Sequence, residues 1–394
     1  MGRLEEIAEA LAEAGLDGWL FYDFRRSDPL AYRILQLPDA GISTRRWFCY
    51  VPARGAARAL CSAVEAERLA ALGVATTIYR SADAMRAALG ELLAGARRIA
   101  MDYSPQCAIP YVARVDAGTV EMVRALGVEV VSAADLIQRF EARLEPAQLA
   151  SHRRAALVVR RVVDETFAEI ARALAAHRPI SEYSAQRFVL ARFAAHGLVA
   201  EDPPIVAVNA NAARPHFEPS PGNDTAIRPG DLVLLDLWAK EPAPEAIYAD
   251  LTWMAYAGKR VPEEFARIFA IVAGARDAAA DLIRARVDAG EPVRGEEADR
   301  AARGAIERAG YGERFVHRTG HSIGREVHGT GANLDSLETH DHRMLIDRTC
   351  FSVEPGIYLP GRFGVRSELD MTIEGGRAEV SAAPAQREIV ALLG

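Results

Sequence analysis

Apolar residues recur along this chain at two periods, and the period in force changes with position. Residues 4–14 carry apolar side chains at helical spacing and stop at Gly15. Gly18-Trp19-Leu20-Phe21-Tyr22 and Trp47-Phe48-Cys49-Tyr50-Val51 are short, nearly unbroken apolar runs, the pattern of buried strands. Residues 64–72 and 82–94 return to helical spacing, and residues 98–101 and 128–131 again predict short strands. This alternation predicts an α/β domain. Pro146 suits the first turn of a helix, and helical spacing then runs to about residue 176 before His177-Arg178-Pro179 breaks it. Residues 180–196 predict another helix. Strands follow at 205–208, 232–235 and 247–252, then helices at 265–285 and 296–309, then strands and glycine-rich turns over 316–373. The pattern places a boundary near Arg143-Leu144-Glu145, giving an α/β domain over 1–143 and an α+β domain over 144–394.

Composition narrows the class. A chain of 394 residues exceeds one typical hydrophobic core, which agrees with two domains. Lys plus Arg is 47 and Asp plus Glu is 54, a net charge of −7. Sequence-independent nucleic-acid binding needs a basic surface, so no nucleic-acid partner is expected. No apolar run reaches the roughly 18 residues of a membrane span, so no membrane partner is expected. The start, Met1-Gly2-Arg3-Leu4-Glu5-Glu6, lacks the apolar core of a signal peptide. Cys49, Cys61, Cys107 and Cys350 form no CxxC pair, which speaks against a disulfide framework and for a cytoplasmic setting. The first domain has no glycine-rich phosphate loop, so a nucleotide site there is unsupported.

The informative residues are polar groups in apolar strands. A buried strand should be apolar, and an ionised carboxylate there is costly unless paired or metal-bound. Asp236 directly follows Leu232-Val233-Leu234-Leu235, and Asp250 lies 14 residues later in a second strand-like run. Glu354 sits in Phe351-Ser352-Val353-Glu354-Pro355-Gly356, and Glu368 in Gly364-Val365-Arg366-Ser367-Glu368. Each alone reads as a strand-end or turn residue. Four in one half of the chain read together as a site. Six of the nine histidines lie between His216 and His342, and His317, His321 and His328 fall among Gly320, Gly324 and Gly329. Oxygen ligands with one imidazole suit Mn²⁺, Co²⁺, Zn²⁺ or Fe²⁺. Carboxylates can bridge two such ions roughly 3.5 Å apart. Spacing alone leaves open a network of unrelated salt bridges.

The order of these motifs resembles the pita-bread metallopeptidases: aminopeptidase P, prolidase and methionine aminopeptidase, with creatinase as a metal-free relative. The likeness runs from about residue 205 to the C-terminus, through His216, Asp236, Asp250, Gly320-His321, Val353-Glu354-Pro355-Gly356 and Val365-Arg366-Ser367-Glu368. Leu16-Asp17-Gly18-Trp19-Leu20-Phe21-Tyr22 is similar to the creatinase-type N-terminal domain of aminopeptidase P and prolidase. The resemblance implies two divalent metal ions, with Mn²⁺ expected and Co²⁺, Zn²⁺ or Fe²⁺ as alternatives. It implies Asp236, Asp250, His321, Glu354 and Glu368 as ligands, Asp250 and Glu368 bridging. Glu354, His328 and His317 are the implied catalytic residues, and His216, His317, His328 and Arg366 the implied substrate contacts. Thr252 and Tyr248 match positions beside the second Asp. The implied reaction is hydrolysis of an Xaa-Pro bond at a peptide N-terminus by hydroxide held between the ions. A small peptide substrate and a homodimer are implied with it.

Several positions depart from the family pattern. Trp238 stands where Gly is usual, Trp253 where Arg is common, and Ala332 where prolidases carry an arginine. The interval between the two aspartates is longer than usual, with the extra residues in Lys240-Glu241-Pro242-Ala243-Pro244-Glu245, a hairpin-loop composition. The main expectation is an Xaa-Pro aminopeptidase, and the alternative is an Xaa-Pro dipeptidase, in which Arg343 or Arg366 would clamp the product-side carboxylate. A metal-free creatinase-like hydrolase and a non-catalytic peptide-binding module are the rivals from other classes.

Overall fold

The computed structural model describes residues 2–38 and 41–394. It divides into two compact units, Met1–Glu141 and Ala142–Gly394.

The first unit is built on a six-stranded sheet of β1 (Gly18–Asp23), β2 (Trp47–Pro52), β3 (Arg58–Ser62), β4 (Ala75–Tyr79), β5 (Arg98–Met101) and β6 (Glu129–Ser132), in the order β4-β3-β2-β1-β5-β6. All six residues of β1 are buried, because alternate side chains enter two separate cores. Trp19 and Phe21 pack with Ile7 and Leu11 of α1 (Arg3–Glu13) and Leu30 of α2 (Pro29–Ile34). Leu20 and Tyr22 pack with Leu89 of α3 (Ala82–Leu92) and Val123 of α4 (Ala117–Arg124). A strand covered on both faces reads as an unbroken apolar run. A short α5 (Ala134–Ile137) also contributes to the first of these cores.

One expected helix is absent. Residues 64–72 form two single 3₁₀ turns, Ala63–Glu65 and Ala70–Leu72. Leu69 is buried but Val64 is 68% exposed, so no continuous apolar stripe pins an α-helix there. Strands β3 and β4 flank this segment and were not expected. β4 is a mostly exposed edge strand, so its sequence carries little apolar signal.

The second unit opens with α6 (Pro146–Ala175) and α7 (Glu182–Ala195). Pro146 occupies the first turn of α6, and the Glu145 N–H donates to Gln148 Oε1 at 2.8 Å. A sheet of β7 (Ile205–Val208), β8 (Leu232–Ala239), β9 (Ala249–Tyr256) and the C-terminal β16 (Val390–Ala391) runs β16-β9-β8-β7. A second sheet takes the order β10-β11-β14-β15, from β10 (Ser322–Ile323), β11 (Thr349–Val353), β14 (Leu369–Glu374) and β15 (Arg377–Val380). The strands β12 (Gly356–Leu359) and β13 (Phe363–Arg366) form a hairpin. α8 (Glu263–Asp288) and α9 (Gly295–Arg308) complete the unit.

The faces of β8 and β9 decide where the site lies. Val233, Leu235 and Leu251 pack against Val159 and Val163 of α6. Leu232, Leu234 and Met254 point the other way, into a core shared with Phe269 and Val272 of α8 and Met371 of β14. Asp236, Asp250 and Thr252 continue that second face, so an apolar surface turns acidic toward one end of the strand pair. The long interval between the aspartates leaves the pairing intact, because the ladder runs unbroken to Ala239↔Ala249 and the extra residues lie in the loop. Among the described residues, no helix is long and apolar enough to cross a membrane.

Candidate metal centre

The register of β8 and β9 fixes the first part of the site. Asp236 lies opposite Thr252, and Trp238 opposite Asp250. Side chains directly opposite in an antiparallel pair share a face, so both carboxylates and the Thr252 hydroxyl are neighbours. The Glu368 N–H donates to the Thr252 carbonyl at 3.2 Å, which brings the start of β14 alongside. Thr252 Oγ1 lies within donating distance of Asp236 Oδ1 (3.0 Å) and Glu368 Oε2 (2.8 Å), and accepts from Arg366 Nε–H at 3.0 Å.

His321 arrives from a loop pressed against β11. A Cβ on Gly320 would lie 2.0 Å from the Ser352 carbonyl oxygen, so only glycine permits this approach. The Lys240–Glu245 loop holds the same segment. Lys240 Nζ donates to the Arg325 carbonyl at 2.6 Å, and the Tyr248 N–H donates to the Gly324 carbonyl at 3.0 Å. His321 Nδ1 sits 3.2 Å from the Ser322 carbonyl, which can only accept, so Nδ1 carries the proton. The Nε2 lone pair then faces Glu354 Oε1 at 3.3 Å and Asp250 Oδ2 at 3.7 Å.

A lone pair aimed at carboxylate oxygens is repulsive unless a cation or a carboxyl proton lies between them. Ligand atoms of Asp250, His321 and Glu368 all lie within 4.8 Å of one another, and all three residues are buried. Among the described residues, Asp250 Oδ1 is buried without a hydrogen-bond partner. Burial, and then the neighbouring charges of Asp236, Asp370 and Glu354, hold the Asp250 carboxyl well above its ordinary range. Glu368 is raised in the same way, by burial and then by Asp250. Burial pushes Glu354 up to about 7, with Arg366 opposing. Negative charge is in surplus here, and the donor set fits a divalent ion. Of the five expected ligands, Asp250, His321 and Glu368 converge most closely and Glu354 borders them. Asp236 is paired with the Arg366 guanidinium.

The histidines occupy distinct places. His317 Nδ1 is 2.7 Å from the Arg318 carbonyl, so Nε2 accepts from the Tyr358 hydroxyl at 2.7 Å. Tyr358 accepts in turn from Arg366 Nη1 at 3.1 Å. Burial, and then the Arg366 charge, lower His317 to about 3, so its ring is neutral. His328 is exposed and meets His321 edge-on, ring centroids 4.4 Å apart. His216 is exposed on the loop after β7, within electrostatic reach of His328. Trp253 faces away from the carboxylates, with Arg160 stacked 3.6 Å over its ring. Arg343 is no free clamp. It is buried, with both ends engaged by Asp341, Thr330 O and Gly331 O. Arg366 is likewise committed to Asp236, Thr252 and Tyr358.

Two participants were not anticipated. Asp370 Oδ2 accepts the Asp250 N–H at 2.8 Å, and Tyr358 links His317 to Arg366. Asp370 carried a readable signal, since it is a carboxylate in the apolar run Leu369 to Ile373. Tyr358 carried none, because a tyrosine in a strand is ordinary core.

The sequence profile of metallopeptidase family M24 matches residues 150–374, more than half of the chain and the whole of this site. The chain belongs to metallopeptidase family M24. This M24 chain is 36% identical over 165 residues to the Xaa-Pro dipeptidase of Lactobacillus helveticus, a match spanning 42% of this chain and 40% of that one. It is 30% identical over 269 residues to "Probable dipeptidase PepE" of Mycobacterium tuberculosis (strain ATCC 25618 / H37Rv), 68% of this chain and 65% of that one. The crystal structure of dipeptidase PepE from Mycobacterium ulcerans matches 99% of this M24 chain and 97% of its own, with a TM-score of 0.74 and 25% identity. The M24 chain therefore has an N-terminal α/β domain and a pita-bread domain, and it is a metallopeptidase.

Proposed function

We propose that this chain is an Xaa-Pro dipeptidase that works with two divalent metal ions, Mn²⁺ in the cell. The observation that carries the reading is the convergence of Asp250, His321 and Glu368, with the His321 lone pair turned into the cluster. Asp236 and Glu354 lie beside these three and would complete a two-ion set. Bound divalent ions supply Lewis acidity and an acidified water at neutral pH.

The chain's own groups then divide the remaining tasks. Glu354, at the edge of the set 3.3 Å from His321 Nε2, accepts a proton from water and returns it to the leaving nitrogen. His328, exposed beside His321, donates to the carbonyl oxygen as charge develops there. The neutral His317 ring and His216 shape the pocket for the proline. Arg366 holds Asp236 and Tyr358 in place. The choice of dipeptides over longer peptides is supported by the dipeptidase names of the relatives at 30% identity and above. A homodimer and a cytoplasmic setting complete the reading, the latter supported by the buried free thiols of Cys49, Cys61 and Cys350.

Hydrolysis of Ala-Pro should be compared with that of Ala-Pro-Gly, with Mn²⁺ added. The dipeptide is cleaved and the tripeptide is not. Faster cleavage of the tripeptide returns the reading to an aminopeptidase, and cleavage of neither overturns both.

A further inference from the structure

We propose that Trp238 selects the N-terminal residue of the substrate, admitting small side chains and excluding large ones. The inference rests on the Xaa-Pro reading above.

Trp238 is paired with Asp250 across β8 and β9, so its ring projects from the same face as both site aspartates. It sits at the Asp250 end of the strand pair. Arg366, Tyr358 and His317 are linked to Asp236, toward the other end. The indole is only partly buried, packed at the edge of the cluster that holds Tyr248 and Ile323 and of the core that holds Leu234 and Met371. Its Nε1–H donates to the Asp202 carbonyl at 3.1 Å, which fixes the ring's orientation. The charge of Asp202 in turn reaches His328, the exposed imidazole beside His321. An anchored aromatic surface thus stands between a carboxylate of the cluster and the exposed side of the site.

Charge orients a dipeptide in this setting. Arg366 places a positive charge at the Asp236 end, and Asp202 a carboxylate near the Trp238 end, so whatever ions the ligands hold the α-amine favours the Trp238 end and the substrate carboxylate the other. The residue carrying the amine therefore lies beside Asp250, and its side chain meets Trp238. An indole has only two rotatable torsions and is rigid once its N–H is bonded, so it acts as a fixed wall. Steric exclusion by such a wall reads out as a ratio of kcat/KM values between large and small substrates.

The test measures kcat/KM for Gly-Pro, Ala-Pro, Leu-Pro and Phe-Pro with Mn²⁺, in the wild type and in Trp238→Phe, Trp238→Leu and Trp238→Ala. The wild type is expected to favour Gly-Pro over Phe-Pro by about 10-fold or more. The preference should shrink stepwise from Phe to Leu to Ala, while Gly-Pro turnover changes least. A general loss of structure lowers all four rates together and leaves the ratio unmoved, which overturns the proposal. If the Ala variant fails to fold, the Phe and Leu variants carry the comparison. A wild type that cleaves Phe-Pro as well as Gly-Pro overturns the proposal without any variant. Failure of the wild type to cleave any Xaa-Pro dipeptide overturns the parent reading, and this inference with it.

Discussion

Asp236 and Thr252 face each other across β8 and β9, and the Thr252 hydroxyl lies 3.0 Å from Asp236 and 2.8 Å from Glu368. One buried hydroxyl thus ties a carboxylate of β8 and one from the connection between β13 and β14 to Arg366 Nε, whose hydrogen bond it accepts. Thr252→Val keeps the shape and removes the oxygen. Loss of this bond should cost about 1–3 kcal/mol of stability, because Arg366 Nε is left buried without an acceptor. It should also weaken Mn²⁺ binding by about 10–100-fold, the usual effect of losing a group that orients metal ligands. Calorimetric titration reads the second effect, and an unchanged affinity removes Thr252 from this role.

Arg366 neutralises Asp236 within the site. Arg366→Met leaves that carboxylate buried and unpaired, which should cost about 3–5 kcal/mol. A divalent ion replaces the missing positive charge. The rise in melting temperature on adding Mn²⁺ should therefore be larger in the variant than in the wild type. An equal or smaller rise contradicts this electrostatic role.

Asp370 holds the backbone of Asp250 through the 2.8 Å bond from its N–H. Asp370→Ala should weaken Mn²⁺ binding by about 10-fold or more, and Asp370→Asn, which keeps an acceptor oxygen, should restore most of it. Equal affinities in the Ala and Asn variants speak against positioning by this bond.

The first unit carries its own titration. Asp102 and Asp28 are buried beside each other, and Trp19 Nε1–H donates to Asp102 at 2.8 Å. Burial pushes Asp102 up to about 6, against hydrogen bonds from Asp28 and Trp19 that lower it. A raised carboxyl keeps its proton in the folded state after the unfolded chain has released it. Stability therefore falls as pH rises from about 4 to about 6. Asp102→Asn removes this contribution, which is on the order of 3 kcal/mol. Urea unfolding at pH 4 and pH 6 should show the wild type losing more stability than the variant over that interval. Equal losses contradict it.

The parts legible in the sequence are those where one local pattern sufficed. The helix from Pro146 to Ala175 has its proline start and a long apolar stripe, and β1 and β2 are apolar enough to be read without partners. Asp236 and Asp250 in apolar strands, and Glu354 and Glu368 in the short connections between strands, stood out because carboxylates within apolar runs need a reason. What was not legible depends on register and on partners distant in sequence. The pairing of Trp238 with Asp250 follows from where the β8–β9 loop closes, and no single stretch encodes it. The occupation of Arg343 by Asp341 and two loop carbonyls is likewise a tertiary fact, as is the link from His317 through Tyr358 to Arg366. The segment 64–72 failed in the opposite sense, since of its helically spaced apolar residues Leu69 is buried while Val64 stays exposed, which leaves no continuous stripe to pack.

The central claim is that Asp250, His321 and Glu368 hold a divalent ion on which Xaa-Pro dipeptide hydrolysis depends. Its most direct test is Ala-Pro hydrolysis by the chelator-treated full chain as Mn²⁺ is titrated back, in the wild type and in Glu368→Ala. The account predicts no turnover without metal, saturable recovery in the wild type, and no recovery in the variant at the same Mn²⁺ concentrations. Ala-Pro hydrolysis that persists in excess chelator, or that Mn²⁺ restores equally in both proteins, contradicts it.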